Sequence, residues 1–450
     1  MIDITKSVLS ASWALSLFSV KQVMNMVTPG QSVQGRQTAE AFDAATQAAG
    51  ADLDEMTHSV FAVGDELQRE IVDLIASSMT VRALNPLNML ELPIMRRSTD
   101  TLRAFMPGKD SQVLVQELKN KFTVFNLVKQ VPITLDLPTA PPFPPLADII
   151  KRAMALEEYP RLWVIEGLGH YHGDTFWKRN AVPLEILSGE EYQTLPASSQ
   201  TMLNAGIGMA FAQHLMKTVN HLSPAGEIRQ VLKEFIQLCR DNARPGYEGA
   251  ALESLGLITR HGMFYGDTQP ARMVRAISDE LAQLDPEVYG YFWHGVGRAT
   301  YFLPINFIPG YGSIGHAADM IRHIAPDETA LRNAIAGLAW GVTMVNIRNP
   351  EIMENWISLQ RETLTENDAL TNGVLSGIMM RQDTTPGASF IKAYYEHTPD
   401  PSLQEVWDTM VRRPVTQALE EVYPVLVEKQ RLGEIFRYQS LTDLVQRLTS

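Results

Sequence analysis

Glu166-Gly167-Leu168-Gly169, Ala205-Gly206-Ile207-Gly208, Glu248-Gly249-Ala250-Ala251, His294-Gly295-Val296-Gly297, Ala336-Gly337-Leu338-Ala339 and Asn372-Gly373-Val374-Leu375 are six versions of one phrase. Each is a glycine, an apolar residue and usually a second small residue, set in an apolar run. The first glycines, Gly167, Gly206, Gly249, Gly295, Gly337 and Gly373, follow one another at 39, 43, 46, 42 and 36 residues. That interval suits two helices and their loops. Glycine inside a helix costs about 0.5–1 kcal/mol against alanine, a cost tolerated where two backbones must approach closely. The phrase therefore reads as a packing mark.

The residues between the phrases support this reading. Glu227 to Arg240 carries Ile228, Val231, Leu232, Phe235, Ile236 and Cys239 at helical spacing, and Ala271 to Leu284 carries Met273, Val274, Ile277, Leu281 and Leu284. Breakers separate the runs at Ser223-Pro224, Arg244-Pro245-Gly246, Asp285-Pro286, Ala325-Pro326 and Asn349-Pro350. Sustained strand-like alternation is scarce. The expected fold is all-α: a helical-repeat, α-solenoid-like domain of about six units over residues 147–390, followed by C-terminal helices at 391–450.

Three amphipathic helices are expected in residues 1–82, on stripes such as Leu9, Trp13, Leu17, Val20 and Met56, Val60, Val63, Leu67, Ile71. A connecting helical region at 83–131 leads to a linker or strap at 132–146, where six prolines fall within fourteen residues. Proline fixes φ and donates no backbone hydrogen bond, so this segment should be extended. Ser7 to Val20 is uncharged but too short to span a bilayer, and no small-x-small cleavage site follows it.

Bulk composition narrows the function. The chain has 450 residues, 45% of them hydrophobic and 20% charged, and a formal net charge of −13. This is the composition of a globular protein, and its acidity argues against a nucleic-acid binder. The single Cys239 excludes an intrachain disulfide and a cysteine-rich metal site, and fits a cytoplasmic location.

Two constellations carry possible chemistry. His316, Asp319 and His323 share one helical face, and imidazole and carboxylate suit iron, manganese or zinc. Glu166, with His170 or His172, is the natural donor of further ligands. This helix resembles, with the spacing reversed, the His-x3-Asp-x2-His helix of haem-oxygenase-like non-haem di-iron enzymes. Asp319 and His323 equally suit an ordinary surface pair on one helix. The second constellation comes from aligning the phrases, because Glu248 and His294 both precede a first glycine. Stacked units would make them neighbours, either as an acid–base pair or as a polar contact between helices. There is no Gly-x-Ser-x-Gly elbow, no Walker loop and no Gly-x-Gly-x-x-Gly after a strand, and Gly310-Tyr-Gly312-Ser-Ile-Gly315 reads as a connector.

Tyr247-Glu-Gly-Ala-Ala-Leu-Glu253, His294-Gly-Val-Gly-Arg-Ala299 and Ala336-Gly-Leu-Ala-Trp-Gly341 resemble the cadence of a family of unknown function found beside enediyne polyketide gene clusters. That resemblance covers about residues 146–380 and implies the fold, with no catalytic residues to transfer. Trp13-Ala-Leu-Ser-Leu-Phe18, Ala39-Glu-Ala-Phe-Asp-Ala-Ala45 and Gly64-Asp-Glu-Leu-Gln-Arg-Glu-Ile-Val-Asp-Leu74 resemble the helical modules of phasin-type proteins. It implies self-association, or attachment to a hydrophobic granule or membrane surface. The leading expectation is a cytoplasmic, non-enzymatic scaffold without a cofactor, binding a protein partner or an apolar small molecule and forming homo-oligomers through residues 1–82. A metal-dependent biosynthetic enzyme and a granule- or membrane-surface structural protein are the alternatives.

Overall fold

The computed structural model describes residues 109–450, apart from 139, 180–182, 263–268, 304–305, 307–313 and 365–367. The expected helical module at 1–82, most of the connecting region and the loop around Gly310 and Gly312 lie outside the described residues. Residues 116–306 and 312–450 belong to one unit, and the description below concerns that unit.

Every regular element among the described residues is helical. α1 is Lys109–Lys129, α2 Val131–Thr134 and α3 Leu146–Met154. The six phrases then fall on α4 (Glu158–Lys178), α5 (Ala197–Leu215), α7 (Glu248–His261), α9 (Pro286–Tyr301), α11 (Glu328–Val345) and α13 (Ala369–Thr384). Between them lie α6 (Ala225–Asn242), α8 (Pro270–Leu284), α10 (Ile314–Ile324) and α12 (Glu351–Leu364), and α14 is Ser389–Tyr395. Each phrase helix packs chiefly on the next one in the chain, which confirms the helical repeat. None of the described helices is long and apolar enough to cross a membrane.

The phrase helices form an inner row and the others an outer one. α5 buries fifteen of its nineteen residues, whereas α6 buries six of eighteen along a single stripe, so only the inner helices are enclosed on most sides. Glycine makes that enclosure possible. Gly169 and Gly206 face each other's backbones across α4 and α5, and a methyl group on either would overlap a carbonyl oxygen of the other helix. Gly297 against Ala334 and Gly337 against His294 repeat the contact between α9 and α11.

The inner row curls back on itself. Thr201 near the start of α5 donates to Asp383 at the end of α13 (3.0 Å), and Tyr159 of α4 donates to the Val345 carbonyl at the end of α11 (2.6 Å). Arg381 of α13 completes the closure by donating to the Met344 carbonyl (2.8 Å) and to that of Tyr159 (3.5 Å), beneath the rings of Tyr159 and Trp163. A guanidinium serves here because it offers several donors, one of them to the Met344 carbonyl in the last turn of α11.

The proline-rich segment, expected as a linker, lies inside this unit and packs on α4. Tyr171 donates to the Pro138 carbonyl and stands edge-on to Phe143. Beyond α14, residues 404–428 form a continuous helix, α15, with wide π turns at Asp408–Arg412 and Ala418–Val422. Each wide turn leads into a proline, Pro414 or Pro424, whose missing N–H breaks the regular ladder. A strap then crosses the inner helices through the 3-10 turn Leu432–Phe436, and α16 (Leu441–Thr449) ends the chain.

Candidate functional site

Four ionisable side chains from three inner helices meet in the core. Glu253 of α7 holds His294 Nδ1 at 3.1 Å through one oxygen and accepts from Arg298 at 3.1 Å through the other. Arg298, one turn after His294 on α9, also donates to Glu166 of α4. All four are nearly inaccessible, none exceeding 4% exposure, so each charge depends on its neighbours. Burial pushes the Glu166 carboxyl up and Arg298 opposes the shift, whereas Arg298 and His294 overcome burial at Glu253 and hold its carboxyl below the usual range. Two carboxylates facing one guanidinium thus divide into an ionised Glu253 and a more readily protonated Glu166.

Above this network the strap forms one wall of a cleft of about 380 Å³. Its other walls are the first turns of α7 and α9. Gly433 N–H donates to the Gly246 carbonyl (2.9 Å), while Glu434 receives Arg431 and Arg437, and Arg437 also reaches Glu287 (3.2 Å). Glu248 accepts from Gly246 N–H at 2.8 Å. Both charge signs therefore line the opening. Phe436, two residues past Glu434, packs over His294 with ring centroids 6.3 Å apart.

The expected Glu248–His294 pairing is corrected: His294 pairs with Glu253, and Glu248 stands at the cleft. The register explains the difference. Gly256, seven residues after Gly249, is the glycine of α7 that meets Phe292 and Val296 of α9, while Gly249 meets Gly433 and Tyr291. The five residues considered as metal ligands are held as follows. Asp319 pairs with Arg322 (2.7 Å), His323 donates to the Asp319 carbonyl (2.8 Å), and both are exposed on α10. Glu166 is held by Arg298, and His170 bonds Gln213 at 2.7 Å. His316, on α10 with Asp319 and His323, is half-buried. Among the described residues no group of three or more His, Cys, Asp or Glu side chains could hold a metal ion.

Sequence reasoning missed Glu253 and Arg298, although each interrupts an apolar run inside a phrase helix. It also missed Asp383, whose carboxyl burial pushes up to about 7 against hydrogen bonds from Thr201 and Tyr423. The Lys121–Glu117 pair was missed too; its ammonium lies 4.1 Å from the Tyr301 ring centroid.

His172 supplies a pH test. Burial, with Arg179 adding to it, pushes the imidazole down from 6.5 to about 4. Between those values the unfolded chain takes up a proton that the folded chain refuses, so stability is present above pH 6.5 and lost toward pH 4. Urea unfolding across this range should show a smaller acid loss for His172→Gln than for the parent. Equal losses would mean that the imidazole is solvated.

No protein-family model, curated protein or solved structure matches the chain.

Proposed function

We propose that this chain is a cytoplasmic, non-enzymatic helical-repeat binding protein whose partner inserts a polypeptide segment into the cleft between α7, α9 and the strap. One observation carries the proposal: the cleft walls present Arg240, Arg431, Glu248, Glu287 and Glu434 together. Such a surface suits a polar segment bearing both charge signs better than an apolar small molecule, because charged walls lose hydration without compensation against an apolar ligand. The Glu166 and Glu253 carboxylates of the inner helices are meanwhile both held by Arg298 in the core. Self-association or attachment to a hydrophobic surface falls to residues 1–82.

A photo-crosslinking residue at position 248 tests the partner. The parent chain should yield one discrete adduct in cells, and Arg431→Glu should lower its yield about tenfold, as expected for loss of a charge pair at a binding surface. Asp319→Ala, on α10, should leave the yield unchanged. Diffuse adducts, or an Arg431→Glu variant that crosslinks like the parent, would sink the reading. Stoichiometric iron, manganese or zinc in protein purified without chelators, and lost in His323→Ala, would favour the metal-dependent enzyme instead.

A further inference from the structure

Beneath the cleft, three buried polar atoms find no hydrogen-bond partner among the described residues: His294 Nε2, Arg298 Nε and Trp340 Nε1. Their side chains are neighbours. The Arg298 guanidinium lies over the Trp340 ring, 4.6 Å from its centroid, and His294 meets the same ring edge-on at 6.2 Å. A buried donor or acceptor left unsatisfied costs about 1–3 kcal/mol, so three in one place call for a ligand or water that the fold itself does not supply. Their chemistry is specific. In a neutral imidazole whose Nδ1 proton is directed at Glu253, Nε2 is an acceptor, while Arg298 Nε and Trp340 Nε1 are donors.

A primary carboxamide matches this set. Its N–H donates to the imidazole and its carbonyl oxygen accepts from the two N–H groups, without adding charge to a core that already holds two carboxylates. Phe436 shows what accompanies it: the ring packs 5.8 Å from Trp340 and 6.3 Å from His294, so a flat six-membered ring is already accommodated there. It is carried on the strap, in the same turn as the cleft residues Gly433 and Glu434. We propose that His294, Arg298 and Trp340 form a covered binding site for an aromatic carboxamide, with Phe436 as a plug that the ligand's ring replaces when the strap lifts. The site is distinct from the peptide cleft, and its occupation does not depend on a polypeptide partner.

Benzamide is the probe. Titrated into the full chain and followed by the nitrogen resonances of its histidines, it should shift the His294 Nε2 signal while leaving exposed His323 unmoved. Phe436→Ala, which removes the plug, should bind benzamide at least about tenfold more tightly than the parent and prefer it to toluene by a similar factor. Adding His294→Phe should erase that preference. A His294 signal unmoved at saturating benzamide overturns the proposal, as does equal uptake of benzamide and toluene by Phe436→Ala, which would mean that water satisfies the three atoms. If Phe436→Ala does not fold, the parent titration decides.

Discussion

Gly297→Ala is expected to destabilise the domain by about 3 kcal/mol or more, at the upper end of overpacking costs. A methyl group there would overlap the Ala334 carbonyl oxygen and crowd the Ala334 backbone, so relief requires α9 and α11 to move apart as rigid bodies. No side-chain rotation can absorb it, and separating the helices would also loosen Gly337 from His294 on the same interface. Gly226, near the start of outer helix α6, has nothing within 4 Å of the corresponding position. Gly226→Ala should be neutral or gain a few tenths of a kcal/mol, up to about 1, from helix propensity. Denaturant midpoints of the two variants settle the matter. A Gly297→Ala protein within about 0.5 kcal/mol of the parent, the range of an unremarkable surface change, would contradict the close approach.

Arg298→Met should be comparably severe, at about 3–5 kcal/mol, because removing one partner of a buried ion network leaves the others uncompensated. Glu166 and Glu253 would then face each other in the core without their common guanidinium. Both carboxyls would titrate above their unfolded values, so the folded variant would bind protons that the unfolded chain releases. The deficit relative to the parent should accordingly be smaller in acid and grow as pH rises through the raised values. Combining Arg298→Met with Glu166→Gln and Glu253→Gln should recover much of the loss, since the three changes act within one network and are not additive. A pH-independent deficit, or no recovery in the triple variant, would show that Arg298 acts through packing on Trp340 rather than through charge.

The two predictions differ in how much of their basis was visible in the chain. Gly297 stands in a repeated phrase, and its role as a contact between helices followed from the cost of glycine inside a helix. Arg298 is one residue further on and passed unnoticed, because its partners lie 45 residues away at Glu253 and 132 away at Glu166. Periodicity reports which face of a helix is apolar. It does not report which buried charges meet, since that depends on how far successive helices slide along one another. The displacement of the α7 packing contact from Gly249 to Gly256 is two helical turns, enough to exchange Glu248 for Glu253 as the partner of His294. The His316, Asp319 and His323 face was correctly placed on one helix, but the other ligands expected for it are spent elsewhere in the core.

By itself the sequence determined the helical class, the alternation of enclosed and amphipathic helices, and that glycines would mark close approaches between backbones. Each is a local consequence of side-chain size and polarity repeated along the chain. The tertiary structure alone decided that the inner row closes through Arg381 and Tyr159, and that a strap from the last 25 residues covers the core. It also decided that His294 is paired on one side and unpartnered on the other. Those outcomes depend on contacts between residues far apart in sequence, whose geometry is set by the sum of many helix crossings and is not written at any one of them.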